Sequence, residues 1–215
     1  MKQGVVITVF VLMFAVVCTP LAAQDSGVNY QTYMVETFDS PDSSEIAWNA
    51  IGSKFITEGY PILKYFDGMP NALRVMQSDS DKEYKFLGMQ FKFNRQGDNW
   101  VDVYPTKGSG DEAAPYEIPL KGIVQRFDLW VWGAGYAYDL EILVRDCNGR
   151  VHALSLGTLN FHGWKNLAVS VPSAIPQASR YLSRVKHLSF VAFRIRTHPS
   201  ESVDDFYVFF DEFKA

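Results

Sequence analysis

The hydrophobic and polar positions of this chain alternate over short segments separated by Gly, Pro and Asp. In the most regular segment Asp139, Glu141, Leu143 and Arg145 alternate with Tyr138, Leu140, Ile142 and Val144. A period of two residues predicts a strand with one face in a core. Residues 127–132, just before it, are apolar and aromatic on both faces, which predicts a central strand. With Gly133 and Gly135 between them, we expect both segments to lie in the middle of one sheet.

Further strand-like segments recur at intervals of roughly ten residues. They are residues 33–38, 54–57, 62–66, 72–77, 87–93, 100–104, 151–156, 168–171, 186–197 and 206–214. The turn from Asp146 to Gly149 predicts a hairpin between residues 138–145 and 151–156. We therefore predict an all-β protein, a jelly-roll type β-sandwich (galactose-binding-like).

Three stretches fall outside this strand pattern. Residues 173–184 have helical spacing, and Pro176 limits them to one short helix. Residues 42–49 are predicted to form a loop. Residues 105–115 are the longest stretch without periodicity, which predicts a surface loop that moves or contacts a partner.

The N-terminus is typical of a secretory signal peptide. Lys2 precedes the apolar run of residues 5–17, and Ala22 and Ala23 offer small residues for cleavage. The run is shorter than the roughly 20 residues that a bilayer requires. We predict a signal peptide over residues 1–23, a single β-sandwich domain over residues 24–215 and no stable membrane anchor. Lipid attachment at Cys18 is the alternative, disfavoured by the branched Val17 before it.

Composition and charge agree with a secreted globular domain. The 215 residues are 47% hydrophobic and 15% aromatic, which favours sheets over helical bundles. The net charge of −4 gives no electrostatic footprint for nucleic acid. After cleavage Cys147 is the one remaining cysteine, so no internal disulfide is expected. It is predicted to be a semi-buried inert thiol, with a free or intermolecular thiol as the alternative.

No catalytic pattern is present in the sequence. The four histidines, His152, His162, His187 and His198, have no metal-ligand spacing. There is no nucleophile elbow and no phosphate-binding glycine loop. Two carboxylates could meet as a glycosidase pair, but the sequence does not set their separation. We therefore predict no enzyme, no cofactor and no metal.

Two groups of residues are candidate sites. Trp130, Trp132, Tyr136 and Tyr138 could form an aromatic platform for a partner protein or for sugar rings. The favoured alternative places both tryptophans in the core, because Leu129 and Val131 show no solvent face.

Asp39 follows the first strand, and Asp211 lies in the last one. Jelly-roll sandwiches often place their terminal strands side by side, so these two carboxylates could hold a structural calcium ion. Two ordinary surface acids are the favoured reading.

Several segments in this order resemble the spirochaete flagellar filament outer layer protein family (FlaA). They are Glu36-Thr-Phe-Asp39, Gly52-Ser-Lys-Phe55, Gly59-Tyr-Pro61, Leu129-Trp-Val-Trp-Gly-Ala-Gly-Tyr136, Leu140-Glu-Ile-Leu-Val-Arg-Asp146 and Gly157-Thr-Leu-Asn-Phe-His-Gly-Trp-Lys-Asn166. The resemblance runs from about Tyr33 to the C-terminus.

The resemblance implies a non-enzymatic structural subunit of the filament outer layer, or sheath, in the periplasm. Such a subunit coats the flagellin core of the periplasmic flagellum and contributes to its shape, its stiffness and motility. The implied partners are flagellin core subunits and other outer layer subunits. The rival is a secreted carbohydrate-binding module, because jelly-roll sandwiches commonly bind glycans and fold does not decide function.

Overall fold

The computed structural model describes residues 30–75, 82–108, 110–178 and 188–215. The chain divides into two compact units, Met1–Gln31 and Thr32–Ala215. Only Tyr30 and Gln31 of the first unit are described, so the predicted signal peptide and the alternative lipid site at Cys18 lie outside the described residues. Both stay predictions, as does the domain boundary. The second unit holds all the strands described below.

The described part of the second unit contains thirteen strands and one short α-helix. The strands are β1 (Met34–Glu36), β2 (Ala47–Gly52), β3 (Ile62–Asp67), β4 (Lys85–Phe91), β5 (Trp100–Lys107), β6 (Ala114–Pro115), β7 (Ile118–Pro119), β8 (Arg126–Ala134), β9 (Asp139–Arg145), β10 (Val151–Thr158), β11 (His162–Ser170), β12 (Ser189–Arg196) and β13 (Phe206–Lys214). The α-helix, α1, is Asn71–Arg74, and a 3-10 turn spans Gly110–Glu112.

The strands form two antiparallel sheets. The front sheet has the order β11-β8-β13-β4-β3, and β1 pairs with the C-terminal end of β13. The back sheet has the order β10-β9-β12-β5-β2, with β6 added on β5 and β7 on β12. The prediction of an all-β, jelly-roll type sandwich with one short helix is confirmed. The expected adjacency of the terminal strands is also confirmed, because Met34 pairs with Lys214.

Aromatic side chains fill the space between the sheets. Phe210 of the front sheet and Phe193 of the back sheet stack with their ring centroids 5.2 Å apart. Phe213 contacts Phe190 in a tilted arrangement at 4.9 Å and Phe193 edge to face at 5.0 Å. Each fully buried Phe side chain contributes about 1.5–3 kcal/mol relative to exposure. The core therefore stabilises the sandwich without a disulfide in the described residues.

The expectation that residues 127–145 form the middle of one sheet is wrong. β8 pairs with β11 and β13 in the front sheet, whereas β9 pairs with β10 and β12 in the back sheet. Between them Gly135 has a φ of +82° and the His162 ring lies against it, so a side chain at this position has no room. The link crosses from one sheet to the other. The predicted β9–β10 hairpin is confirmed.

Other local predictions also differ from the structure. Residues 42–49, predicted as a loop, include the start of β2. Residues 54–57 form turns with one bridge from Ile56 to Phe93, and α1 replaces the strand predicted from residue 72. Residues 173–178 contain turns and no helix, and residues 179–184 of the predicted helix lie outside the described residues.

The predicted surface loop over residues 105–115 begins and ends in strands of the back sheet. β5 continues through Lys107, and β6 pairs back onto it. Thr106 is buried and its hydroxyl donates a hydrogen bond to the carbonyl of Ala47 at 3.2 Å. The hydrophobic periodicity is lost here because the segment contains only the end of β5 and the two-residue β6, with a 3-10 turn between them.

Candidate binding face

The outer surface of the front sheet carries a group of aromatic side chains from five strands. We call it the aromatic face, and its residues are Phe66, Phe86, Trp130, Trp132, Trp164, Tyr207 and Phe209. Phe66 is 43% exposed and Tyr207 is 42% exposed, and the other five are half-buried. Strand pairing aligns the middle of the face, since Phe209 lies opposite Trp132 and Trp132 lies opposite Trp164.

Both β8 tryptophans point away from the core. Phe127, Leu129 and Val131 are fully buried between the sheets, so the alternation of the strand directs Trp130 and Trp132 to the other side. The favoured prediction that both tryptophans belong to the core is therefore wrong. The half-burial of Trp132 comes from a neighbouring ring on the outer surface, since the ring of Phe209 lies 5.1 Å away.

A glycine in β4 makes room for the rings at the centre of the face. A Cβ atom on Gly88 would lie 2.5 Å from the Phe66 ring and 2.9 Å from the Phe209 ring. The rings of β3 and β13 thus lie over the backbone of the strand between them. A side chain at position 88 would force these rings outward.

Five of the seven rings are linked by ring contacts across the sheet: Phe66, Phe86, Trp132, Trp164 and Phe209. Phe86 of β4 and Trp164 of β11 are 5.3 Å apart at an interplanar angle of 82°, although two strands separate them. Phe66, Phe86 and Phe209 form mutual contacts at 5.2–5.7 Å. Tilted and edge-to-face arrangements of this kind are favourable beyond simple burial. The face is therefore a packed apolar cluster on the outside of the sandwich.

The two tyrosines of the predicted platform lie away from this cluster. Tyr138 is fully buried, so it cannot contribute to an exposed platform, and burial raises the pKa of its hydroxyl. That hydroxyl donates a hydrogen bond to the carbonyl of Ser202. Tyr136 is half-buried against Tyr138 and Phe206. The predicted quartet separates because β8 and β9 belong to different sheets.

Asp211 lies on the same outer side, opposite Trp130, and is 3% exposed. Burial, together with the nearby carboxylates of Glu212 and Asp39, raises the pKa of Asp211 to about 8. Its side chain accepts a hydrogen bond from the Glu212 amide at 2.9 Å. At neutral pH this carboxyl is mostly protonated, so it adds little charge to the aromatic face.

Asp39 and Asp211 are near each other, as the pairing of β1 with β13 requires, but Asp39 has other partners. Its carboxylate forms an ion pair with Lys82 at 2.8 Å and accepts from the Lys85 amide at 3.1 Å. The described residues contain no group of three or more His, Cys, Asp or Glu side chains that could hold a metal ion. The arrangement gives no support to the predicted calcium alternative.

The outer surface of the back sheet carries several paired charges. Arg194 donates two hydrogen bonds of 2.7 Å to the Asp102 carboxylate, and its guanidinium lies 4.9 Å from the Trp100 ring. The Nε–H of Arg145 donates to both carboxylate oxygens of Glu117 at 2.9 Å and 3.0 Å, and Nη2 lies 2.8 Å from Oε1. Hydrogen bonding to the carboxylate raises the pKa of each guanidinium. This surface combines paired charges with the exposed apolar side chains of Ile51 and Val151.

The remaining candidate residues have local roles. Asp146 is buried in the β9–β10 turn and contacts the His152 ring at 2.7 Å. Burial would raise the pKa of Asp146, but hydrogen bonds from His152 and the Arg150 amide lower it. Cys147, in the same turn, is a half-buried free thiol.

No helix in the described ranges is long and apolar enough to cross a bilayer.

Comparison with protein families gives a match over almost the whole chain. The model of the family described as flagellar filament outer layer protein Flaa matches residues 27–215. The matched region includes both sheets and every residue of the aromatic face.

Two curated relatives are similar to parts of this chain. A flagellar filament outer layer-like protein of Brachyspira hyodysenteriae is 28% identical over 141 residues, which cover 66% of this chain and 61% of the relative. The flagellar filament outer layer protein of Borreliella burgdorferi is 38% identical over 81 residues, covering 33% of this chain and 24% of the relative. The chain thus spans less than two thirds of each relative.

Solved structures with a similar arrangement of strands include carbohydrate-binding modules. One, of the β-sandwich superfamily, gives a TM-score of 0.48 at 8% identity and covers 84% of this chain and 60% of that chain. The family 11 module of a cellulosomal cellulase of Clostridium thermocellum gives 0.42 at 10% identity, covering 86% and 94%. At TM-scores below 0.5 these similarities imply nothing about function.

Proposed function

The chain belongs to the flagellar filament outer layer protein family (FlaA), and from this membership we propose that it is a structural, non-catalytic subunit of the outer layer of the periplasmic flagellar filament. The match of the family model to residues 27–215 carries the proposal. In this role the subunit coats the flagellin core, contacts other outer layer subunits and contributes to filament shape, stiffness and motility. Residues 1–23 direct its export to the periplasm.

The aromatic face supports this role. Assembly interfaces are apolar and aromatic at their centres and polar at their margins. The half-exposed tryptophans Trp132 and Trp164 meet this requirement, and they lie on regular strands rather than on loops. A surface of this kind costs little conformational entropy to bury, because its side chains are already held by one another.

Co-sedimentation tests the proposal. Residues 24–215, purified and folded, are mixed with filaments from which the outer layer has been removed, and the pellet is quantified over a range of protein concentrations. We expect saturable pelleting with filaments. The same protein denatured and then diluted into the assay is the control for trapping of aggregates. An absence of saturable pelleting would contradict the proposal.

Glycan binding is a second candidate function, favoured by the three tryptophans that reach the surface of one sheet: Trp130, Trp132 and Trp164. Indole rings stack on the apolar faces of sugar rings. A pull-down on insoluble polysaccharides, run beside the filament assay, separates the two candidates. Binding to glycan alone, with loss of that binding in Trp130→Ala and Trp132→Ala, would replace the outer layer proposal with a carbohydrate-binding role.

A further inference from the structure

Three carboxyl groups lie together where the first strand joins the front sheet. β1 pairs with the C-terminal end of β13, which carries Asp211 and Glu212, and Asp39 follows β1 by three residues. Asp39 and Asp211 are both buried, and the Glu212 side chain is 15% exposed. The charges of Asp39 and Glu212 both act on Asp211. We call this place the β1–β13 junction.

The lysines at the β1–β13 junction are paired with two of these three carboxylates. Lys82 pairs with Asp39 and Lys214 pairs with Glu212, each at 2.8 Å. Within the described part of the chain no ion pair reaches Asp211, whose side chain accepts a hydrogen bond from the Glu212 amide. A third carboxylate would be buried there without its own cation, which costs free energy. A proton on Asp211 removes this cost.

Other charged groups described around the junction do not supply the missing cation. Lys85 of β4 is paired with Asp67 at 2.8 Å. Asp128 of β8 lies opposite the end of β13 and is a further acid. The Glu36 carboxylate of β1 accepts hydrogen bonds of 2.9 Å from the next two backbone amides. The junction therefore holds more negative than positive charge when all of its carboxyls are ionised.

β1 is held on the front sheet by a short pairing. It has three residues, and its register shifts between Met34 and Glu36, whereas β11 pairs with β8 along its whole length. Just beyond β1, Phe38 has a φ of +62°, which is unfavourable for a residue with a Cβ atom. Segments with few backbone contacts open before the whole fold does. Opening of residues 33–39, the β1 segment, would move Asp39 away from Asp211.

We propose that opening of the β1 segment is coupled to the release of one proton from Asp211, so that this segment leaves β13 more often as the pH rises. The inference goes beyond the proposed function and does not depend on it. It describes a pH-sensitive device at the junction, in which a proton takes the place of a third lysine.

The coupling has a defined pH window. In the closed segment the pKa of Asp211 is about 8, and its ordinary value is 3.8. Between these values the closed form holds a proton that the open form has lost, so the open population rises about tenfold with each pH unit. Above about pH 8 both forms are ionised, and the rise ends.

Hydrogen exchange of residues 24–215 tests the coupling. Protection factors, corrected for intrinsic exchange, are measured from about pH 5 to about pH 9 for residues 33–38 and for residues 127–132 of β8. We expect the protection of residues 33–38 to fall about tenfold per pH unit between about pH 5 and 7 and to level off above about pH 8. It should be lower than that of β8 and insensitive to a low concentration of urea, which marks a local opening.

Two substitutions of the same kind separate the coupling from other effects of pH. Asp211→Asn should abolish the pH dependence, and Asp128→Asn, on the outer side of β8, should keep it. If Asp211→Asn does not fold, Glu212→Gln replaces it: this variant removes a neighbouring charge and frees Lys214, so the fall in protection should end at a lower pH.

Four results would overturn the inference. They are wild-type protection of residues 33–38 that is constant over the pH range, a pH dependence that persists in Asp211→Asn, exchange of the β1 segment only together with β8, and an unchanged end point in Glu212→Gln.

Discussion

Among the described carboxyl groups with a shifted pKa, Asp211 is the one whose ionisation most affects the stability of the folded state. Its pKa rises from 3.8 to about 8 because the side chain is buried beside two other acidic groups. The folded protein therefore holds this proton more tightly than the unfolded chain does. The resulting stabilisation is complete below about pH 4 and is lost as the pH rises through about 8.

Replacement of this carboxyl tests the dependence of stability on the ionisation of Asp211. Asp211→Asn keeps an oxygen that accepts the Glu212 amide and removes the ionisation. We expect the free energy of unfolding of the variant to exceed that of the wild type by about 2 to 5 kcal/mol at pH 9, because each pKa unit corresponds to about 1.4 kcal/mol, and to match it near pH 4.

The measurement is urea unfolding at several pH values. The control is Asp139→Asn, which replaces an exposed aspartate at the start of β9. This substitution should leave the pH dependence of the free energy of unfolding unchanged. Parallel pH profiles for Asp211→Asn and wild type would show that Asp211 is ionised normally in the folded protein.

At the scale of single elements, β8 shows how far local pattern predicts structure. Its strand assignment and its buried residues, Phe127, Leu129 and Val131, follow from alternation alone. The same alternation places Trp130 and Trp132 on the opposite face. The sequence-based preference for a core position was wrong because both faces of the strand are apolar, and only the stacking of other elements decides which face is inside.

The contact between β3, β4 and β13 depends on Gly88. Gly88→Val places a branched side chain where the Phe66 and Phe209 rings now lie. We expect a loss of about 1–3 kcal/mol in stability, as for other overpacked sites, and weaker filament binding because the rings are displaced.

Ala168→Val is the matched control. It adds two carbon atoms, against three in Gly88→Val, at an outward position of β11 opposite Asp128. Thermal unfolding and co-sedimentation are measured for both variants. A Gly88→Val protein with wild-type stability and binding would show that the close packing of rings over β4 is unimportant.

At the scale of the whole molecule, Trp48 joins the two sheets. It lies on β2 of the back sheet, stacks on Phe193 at 5.8 Å and contacts Phe38, just after β1 of the front sheet, at 5.2 Å. Its indole NH donates to Glu36 at 3.3 Å. The sequence places Trp48 in a predicted loop, so its importance could not be seen from local pattern.

Trp48→Ala is expected to destabilise the sandwich by about 3 kcal/mol, since a large inter-sheet contact and a hydrogen bond are lost together. Trp48→Phe, which keeps a ring and loses only the NH donor, should cost about 1 kcal/mol. Chemical denaturation measures both. Trp100→Ala on the outer side of the back sheet is the control, and a loss there as large as in Trp48→Ala would contradict an inter-sheet role.

The sequence alone determined the local elements and the family of this protein. A period of two residues is a property of the strand backbone itself, so most strands, the β9–β10 hairpin and the inward residues of β8 could be predicted without the fold. The order of short segments such as Leu129–Tyr136 indicated the family. Such a resemblance compares residues along the chain, so it can be found without knowing which strands pair.

Only the tertiary structure decided which sheet each strand joins and which faces meet solvent. Strand pairing depends on contacts between residues that are distant in the chain. The hydrophobic alternation of β8 and β9 would be the same whether or not the two strands shared a sheet. The aromatic face exists because five strands far apart in sequence lie side by side and Gly88 leaves room between them. The burial of Tyr138 and Asp211 follows from the same non-local packing.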